Sequence, residues 1–362
     1  MSGERGSTPR RVPCPSVDTL ILRDDRFLEH DPGPGHPERR ARLEAVYASL
    51  DAEPIAGTTS ATPRAATREQ LLAVHTAAHV AQVESSAGQA HTQLDADTAA
   101  SAGSHQAALL AAGGAIQAVE AVLADQAQGA FVLCRPPGHH AEASGAMGFC
   151  LFNNAALAAE HAVRQLGCRR VLVVDPDVHH GNGTQHSFWE RADVMYVSSH
   201  RFPYFPGTGA SGEVGAGAGA GYTLNLPLPA GLGDADLVHL YRSCVSPVVR
   251  RFAPELIIVS AGFDTWHKDP LGDLALTEAG FAALFSIFRG WAEESCPRRM
   301  VALLEGGYAL DGVVAGVRAG LSVMSAASPP ALAVDGAVSD AARRVEREVR
   351  RALSPHWPCL AG

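Results

Sequence analysis

Short apolar runs alternate along this chain with longer stretches of helical periodicity. Most of the apolar runs are nearly continuous, which is typical of parallel strands covered on both faces. They predict strands over residues 18–24, 130–135, 171–175, 194–198, 256–262 and 300–307. The stretches between them predict helices over residues 38–50, 68–85, 98–125, 154–166, 234–252, 277–292 and 309–325. This alternation indicates a doubly wound α/β sheet whose strands are mostly parallel.

The two ends of the chain and one inner segment lie outside the alternation. Residues 1–16 carry charge without the apolar core of a secretory signal, and we expect a flexible tail there. The glycine–alanine repeat at 215–221 predicts a loop. Residues 328–335 resemble a short linker into a charged terminal helix over 338–353. Without internal repeats or a shift in composition, the rest of the chain is predicted to form one domain.

Composition narrows the classes of protein. Hydrophobic residues make up 46% of the chain, and no continuous apolar run approaches the roughly 20 residues that span a bilayer. A net charge of −9 argues against direct nucleic-acid binding. The seven cysteines form no C-x-x-C pair, which predicts free thiols in a reducing, cytoplasmic setting and no thiolate metal site.

Polar, glycine-rich sequence follows five of the predicted strands. In open α/β sheets, ligands bind at the carboxyl ends of the strands. We therefore expect functional side chains to converge there although they lie far apart in the chain. The segments are 135–142, 176–183, 199–209, 263–272 and 306–312.

One of these segments crowds ionisable groups together. Asp177 and His179 are two residues apart, so on an extended segment both side chains point to the same side and can bind one ion. Asp264, just after its own strand, is the candidate third ligand. Two Asp and one His leave an open position, as in a catalytic zinc site. A turn aspartate followed by a capping histidine is the alternative interpretation of the same pattern.

A histidine pair follows another strand. His139 and His140 could supply a general base and an electrostatic partner beside a metal-bound water, or they could be two surface loop histidines. Asp175 and Asn182 flank the candidate metal ligands and could each orient one of these histidines. Asn182 stands between two glycines and is equally typical of a left-handed turn.

Three aromatic residues stand beside glycines. Tyr308 could donate a hydrogen bond to a carbonyl that becomes an oxyanion, or it could be a core tyrosine after a turn. Phe149 and Phe205 could form the walls of a narrow apolar channel, or could belong to the core.

Taken together, these segments resemble the zinc-dependent histone deacetylase family. The class II branch is the most similar, with its bacterial amidohydrolase and acetylpolyamine amidohydrolase relatives, since the class I branch would have Asp where Asn182 stands. One departure is Pro176, where the family usually has a large apolar residue; a proline is tolerated at the last position of a strand. The matching segments are 30–43, 135–154, 174–185, 205–209, 260–272 and 304–308, and the resemblance runs from about residue 19 to residue 357.

The resemblance implies the arginase–deacetylase fold. Such a fold has an eight-stranded, mostly parallel sheet with helices on both faces and an active site at the carboxyl ends of the strands. Residues 17–362 would form a single deacetylase catalytic domain. The zinc ligands implied by the match are Asp177, His179 and Asp264.

The resemblance also implies catalytic roles. His140 would be the general base and then the acid for the leaving amine, while His139, tied to Asp175, would stabilise the transition state. Tyr308 would polarise the scissile carbonyl. The tunnel for a lysine side chain would be lined by Gly148, Phe149, Phe205 and Leu271. Structural potassium ions would bind at Asp175, Asp177, His179, Ser198 and Ser199, and at Phe188, Arg191, Val194 and Tyr222.

The expected activity is hydrolysis of an acetyl or other acyl group from the side-chain amine of lysine in proteins or peptides. An acetylated polyamine is the first alternative substrate. Leu271 stands where eukaryotic polyamine deacetylases carry a gating glutamate, which favours acyl-lysine, whereas Asp97 or Asp95 could contact a substrate N–H or an ammonium group.

Two further alternatives belong to other classes. One is a non-catalytic acyl-group binder, and the other is an arginase-like hydrolase with two manganese ions, which would need more Asp ligands. An Asp₂His site also accepts iron(II) or cobalt. We expect no membrane partner, and a homo-oligomer is compatible with the sequence.

Overall fold

A parallel β-sheet forms the centre of the structure, a computed structural model that describes residues 17–331 and 334–361. Eight strands make the main sheet in the spatial order 2-1-5-10-9-6-7-8, and every neighbouring pair is parallel. Strands 3 and 4 form a small antiparallel ribbon. The strands are β1 (Val17–Leu22), β2 (Thr58–Ala61), β3 (Thr92–Gln93), β4 (Ala99–Ala100), β5 (Ala127–Val132), β6 (Val171–Asp175), β7 (Val194–Arg201), β8 (Thr223–Leu228), β9 (Leu256–Ala261) and β10 (Met300–Leu304).

The central strands are covered on both faces. Every residue of β6, β9 and β10 is buried, and successive side chains of a strand point to opposite faces. The predicted α/β sheet with helices on both faces is therefore confirmed, and it is parallel throughout.

The two edge strands were not predicted. Strand β2 is a short polar run whose residues are half-buried or exposed, so it lacks the apolar pattern that identifies the inner strands. Strand β8 carries Asn225 and Pro227, which weaken its strand signal. Both strands form because they pair with a neighbouring strand, and the local sequence does not show such pairing.

Helices occupy most of the predicted stretches. They are α1 (Ala41–Ala52), α2 (Arg68–Leu72), α3 (Ala77–Ser85), α4 (Ser104–Leu123), α5 (Asn154–Arg164), α6 (Asn182–Ser187), α7 (Asp234–Leu240), α8 (Ser246–Phe252), α9 (Glu278–Ser295), α10 (Leu310–Ser325) and α11 (Asp340–Leu353). The single helix predicted over 68–85 is wrong, because Thr67 and Thr76 each cap a separate helix. The helix predicted over 234–252 contains a π-helical turn at Tyr241–Val245.

The expectation that no segment is long and apolar enough to span a bilayer is corrected by helix α4. Its 20 residues are long and apolar enough to cross a membrane by length and composition. However, 72% of the apolar window is buried inside the protein, and a core helix passes the same test. The helix packs against β5 and α5, which accounts for its alanine-rich composition.

Some predictions fall at the limits of the described residues. The predicted flexible tail, residues 1–16, lies outside them, as does part of the predicted linker over 328–335. The glycine–alanine loop contains a short 3₁₀ turn at Gly217–Gly219. Among the described cysteines all are free thiols, as predicted.

Candidate active site

Four neighbouring strands at the centre of the sheet deliver the predicted functional segments to one place. Strands β5, β10, β9 and β6 are adjacent, and their parallel direction brings their carboxyl ends to the same edge. The segments that follow them carry the histidine pair, Tyr308 and the candidate metal ligands. Side chains separated by more than 100 residues in the chain meet there.

The three predicted metal ligands form a tight buried cluster. His179 Nδ1 lies 3.1 Å from Asp264 Oδ2 and 3.3 Å from Asp177 Oδ1, and one ligand atom from each residue falls within 4.8 Å of the others. The Asp177 and Asp264 carboxylates are fully buried, while 12% of the His179 side chain is exposed toward the cavity described below. One imidazole and two carboxylates, open on one side, form a donor set that fits zinc in a catalytic site.

Backbone groups hold these carboxylates in place. Asp177 accepts hydrogen bonds from the N–H groups of His179 (2.9 Å) and Gly306 (2.9 Å), and Asp264 accepts one from Val178 (2.8 Å). A Cβ at Gly262 would lie 1.9 Å from Asp177 Oδ2, so only glycine allows this approach. The ligand-bearing loop continues directly from β6 through Pro176, and the proline does not prevent the three ligands from meeting.

The histidine pair lies beside this cluster, with ring centroids 4.0 Å apart. His139 Nδ1 is 3.1 Å from Asp175 Oδ2, and His140 Nδ1 is 2.8 Å from Asn182 Oδ1. Both histidines are buried, so the surface-loop alternative is wrong. Asn182 begins helix α6, so the left-handed turn alternative is wrong as well.

The surroundings of the two histidines shift their pKa values in opposite directions. Burial alone would lower both pKa values, but the charges of Asp175 and Asp177 raise the pKa of His139 to about 10. Burial and the neighbouring His139 and His179 place the pKa of His140 well below the ordinary value. A neutral His140 with its Nδ1 directed at Asn182 has a free lone pair on Nε2, as a general base requires.

The two carboxylates of this cluster repel each other. Burial, and then the neighbouring Asp177, raise the pKa of Asp264 to about 7. A divalent cation between these two carboxylates would remove the repulsion and favour both ionised forms. The electrostatics of the cluster thus agree with its donor chemistry.

Tyr308 faces the same space from the end of β10. Asp269 accepts hydrogen bonds from the N–H groups of Tyr308 (2.7 Å) and Ala309 (3.0 Å), which anchors the turn. Burial, together with the nearby Asp264 charge, raises the pKa of the Tyr308 phenol well above its usual value. The phenol is therefore protonated at neutral pH and can donate a hydrogen bond.

A buried ion network supports that turn, and its members were not singled out from the sequence. Arg42 donates to the carbonyl oxygens of Gly307 (2.5 Å) and Glu305 (2.5 Å). Glu38 pairs with Arg42 (2.9 Å) and with Arg135 (2.5 Å), and all three side chains are fully buried.

A second buried carboxylate shapes the loop before the histidine pair. Glu305 Oε2 accepts hydrogen bonds from the N–H groups of Gly138 (2.6 Å) and His139 (3.2 Å). Both Glu38 and Glu305 lie in segments that carry the family resemblance, and Glu305, a charged residue directly after an apolar strand, could have been singled out from that position.

A cavity of about 240 Å³ opens onto these groups, and its walls include all five predicted substrate residues. Phe149 adopts a left-handed conformation (φ 68°), a strained backbone of the kind found at functional sites. Phe205 meets His140 edge-on at 5.1 Å. The cavity is lined by Asp97, His140, Gly148, Phe149, His179, Tyr204, Phe205, Leu271 and Tyr308.

Tyr204 is a cavity residue that the sequence did not single out. Its ring stacks on His179 at 5.6 Å, its hydroxyl donates to the Leu271 carbonyl (3.1 Å), and it is 39% exposed. Its position next to Phe205 in the sequence was the available signal.

Asp97 lies at the cavity, as predicted from the sequence. Its Oδ1 accepts hydrogen bonds from the Gly148 N–H (3.0 Å) and from the Thr98 hydroxyl (2.8 Å). Thr98 Oγ1 in turn accepts the Phe149 N–H at 2.9 Å. The β3–β4 ribbon thereby holds the loop that carries Phe149.

The potassium positions stay predictions, and some of their residues are neighbours in the structure. Asp175 on β6 is the register partner of Ser198 on β7, and Asp175 is two residues before the metal-ligand candidate Asp177. At the second position, the Arg191 N–H donates to the Phe188 carbonyl (3.0 Å) and the Arg191 guanidinium lies over the Phe188 ring.

Comparison with known proteins agrees with this geometry. The histone deacetylase domain matches residues 36–324. A probable deacetylase of Archaeoglobus fulgidus is 37% identical over 359 residues, which cover 94% of this chain and 99% of that protein. Histone deacetylase 15 of Arabidopsis thaliana is 37% identical over 354 residues, covering 95% of this chain but 63% of that protein. The crystal structure of the HDA15 HD domain superposes with a TM-score of 0.88 at 36% identity, covering 95% of this chain and 96% of that one.

The fold and the match over most of the chain define a hydrolase of the deacetylase class. The chain belongs to the histone deacetylase family. Its eight-stranded parallel sheet agrees with the arginase–deacetylase fold implied by the sequence.

Proposed function

We propose that this chain is a zinc-dependent deacetylase that removes acetyl or other acyl groups from lysine side chains in proteins or peptides. The observation that carries the proposal is the convergence of three groups at one narrow cavity. They are the Asp177–His179–Asp264 cluster, neutral His140 and protonated Tyr308. A binding protein would not need the histidine pair and the phenol together.

Asp177, His179 and Asp264 would hold zinc, which would supply Lewis acidity to the acyl carbonyl and to the attacking water. His140 accepts the proton of that water at Nε2, because its Nδ1 donates to Asn182. Tyr308 donates a hydrogen bond to the carbonyl oxygen as negative charge develops there.

The second half of the reaction returns the proton. His140 gives it to the departing amine, so the products are an unmodified lysine side chain, still part of its peptide, and a carboxylate, usually acetate. His139, whose pKa is raised by Asp175, bears positive charge and stabilises the negative charge of the transition state.

The cavity favours an extended aliphatic substrate. Phe149 and Phe205 offer aromatic surface to the methylene groups of a lysine side chain. Leu271 adds apolar surface at the mouth, and exposed Tyr204 is suited to contact a peptide. These features support acyl-lysine over a smaller, more polar amine.

An acetylated polyamine is the second candidate substrate. Asp97 supports it, because its carboxylate lines the same cavity and could attract a distal ammonium group. Two hydrogen bonds already occupy Asp97 Oδ1, so the carboxylate has a structural task as well.

The test is acetate release by the zinc-loaded protein from an acetyl-lysine peptide and from N-acetylputrescine, measured side by side. We expect peptide turnover that stops on chelation and returns with zinc. Tyr308→Phe should retain one equivalent of zinc but lose about 10²- to 10³-fold in kcat, the usual effect of removing an oxyanion donor. Preference for N-acetylputrescine would replace the substrate. No turnover of either substrate by zinc-loaded protein would refute the proposal.

A further inference from the structure

A chain of side-chain contacts leads from His140 through Asn182 and Glu142 to His186 at the surface. Asn182 joins His140 on one side, and its amide nitrogen Nδ2 donates to Glu142 Oε1 at 2.5 Å on the other. Glu142 Oε1 also lies 2.8 Å from Nδ1 of His186, whose side chain is 51% exposed. The mechanism described above does not use Glu142.

The direction of the Asn182 amide decides which nitrogen of His140 carries the hydrogen. With Oδ1 toward His140, the imidazole must donate from Nδ1, and Nε2 keeps its lone pair. With the amide turned by 180°, NH₂ would face Nδ1, and the hydrogen would move to Nε2. In that form His140 could not accept a proton from water.

Glu142 provides the acceptor that makes one direction favourable. An ionised carboxylate only accepts hydrogen bonds, so an Asn182 oxygen turned toward Glu142 would meet repulsion instead of a bond. Burial alone would raise the pKa of Glu142, but hydrogen bonds from His186 and Asn182 keep that pKa below its ordinary value. The His140 carbonyl is a second, longer acceptor for the same NH₂ group, at 3.3 Å.

The loop does not depend on the Glu142 side chain for its own shape. The Glu142 N–H donates to the Gly145 carbonyl (2.9 Å), and the Glu142 carbonyl lies 3.0 Å from Nδ1 of His75. These are backbone groups that remain after the side chain is truncated. Truncation therefore changes the contact with Asn182 and leaves the loop anchored.

We propose that Glu142 is a positioning residue that fixes the Asn182 amide and thereby holds His140 in the tautomer that can act as a base. Its essential property is a hydrogen-bond acceptor directed at Asn182 Nδ2. The inference relies on the proposed function for the role of His140, but the tautomer itself can be measured without turnover.

Two substitutions separate the acceptor from the charge. Glu142→Gln keeps a carbonyl oxygen for Asn182 and removes the charge, whereas Glu142→Ala removes both. We expect kcat for the acetyl-lysine peptide to fall about 10- to 100-fold in the alanine variant, the usual effect of losing such a supporting contact, with KM unchanged. The glutamine variant should recover most of this loss. Glu69→Ala, at an exposed position in α2, is the matched control and should behave as wild type.

A double-mutant cycle tests whether Glu142 acts through Asn182. In an Asn182→Ala background, Glu142→Ala should produce little further loss, because the group it orients is gone. Full additivity of the two losses would overturn the proposal, as would equal losses in the glutamine and alanine variants.

The direct measurement is the tautomer of His140 in the zinc-loaded protein. Ring ¹⁵N–¹H correlation spectra, with the His140 signals assigned by their absence in His140→Ala, should show Nδ1–H in wild type and in Glu142→Gln. Glu142→Ala should show Nε2–H or a mixture. An unchanged tautomer in Glu142→Ala would overturn the proposal. Wild-type protein that shows the Nδ1–H form but releases no acetate would instead refute the proposed function.

Discussion

Replacing Glu38 by glutamine should destabilise the protein strongly, because it removes the carboxylate of a buried ion network. Glu38 is fully buried and pairs with Arg42 (2.9 Å) and Arg135 (2.5 Å), whose side chains are also fully buried. The His30 ring approaches the same carboxylate at 3.3 Å. Glutamine has nearly the same shape but leaves two guanidinium charges in the interior without a counter-charge.

The expected loss follows from that unpaired charge. Breaking a buried ion pair by removing one partner costs about 3–5 kcal/mol. At roughly 2 °C per kcal/mol for a chain of this size, the melting temperature should fall by about 6–10 °C. Peptide turnover should fall as well, since Arg42 also holds the backbone ahead of Tyr308.

The effect should also depend on pH. Burial alone would raise the pKa of Glu38, but Arg135 and then His30 lower it well below the ordinary value. The carboxylate therefore stabilises the fold above the pKa of an unfolded glutamate, about 4.3, and this contribution is lost as the pH falls through the folded pKa. The difference between wild type and Glu38→Gln should be constant from pH 7 to pH 5 and shrink in stronger acid.

Thermal and urea unfolding of both proteins would measure this difference. Glu53→Gln is the matched control, since Glu53 pairs with Arg318 at 2.8 Å but has an 82% exposed side chain. Such surface pairs contribute less than about 1 kcal/mol. A melting temperature for Glu38→Gln no lower than that of the control would refute the reasoning.

Two other predictions concern the active-site loop and acid stability. Gly148→Ala should reduce turnover at least 100-fold, because its Cβ would lie 2.3 Å from His140 Cδ2 at a φ of +56°; Gly145→Ala, where a Cβ meets nothing within 4 Å, is the control for the same peptide assay. Burial and the neighbouring His79 lower the pKa of His75 to about 4. An unfolded histidine has a pKa of about 6.5, so the folded protein keeps this contribution to stability above pH 6.5. The contribution is lost as the pH falls toward 4. Urea unfolding of His75→Gln should show a shallower decline over this range, by about 3 kcal/mol; parallel declines in the variant and wild type would contradict the assignment.

The inner strands of the sheet could be predicted because their nearly all-apolar composition reflects their burial on both faces. Strands such as β6 and β9 are buried on both faces and therefore read as continuous apolar runs. The edge strand β2 has one half-exposed face and four residues, and nothing local distinguishes it from a loop. The break between α2 and α3 was missed because the apolar period continues through it, although Thr76 marks the second start.

For the candidate site, residue types and their place after strands were sufficient to select the main groups. Asp177, His179 and Asp264 meet as predicted, and His140 lies against Asn182.

The chain by itself therefore determined the type of sheet, the family and the chemistry available at the carboxyl ends of the strands. It did so because strand burial, the two-residue spacing of Asp177 and His179, and glycine-dependent turns depend on residues close in sequence. Only the tertiary structure decided the partners of buried charges and the direction of buried amides. Glu38 reaches Arg135 across 97 residues, and Asn182 reaches Glu142 across 40. No local pattern encodes such pairs, because they exist only where separate strands and loops are brought together.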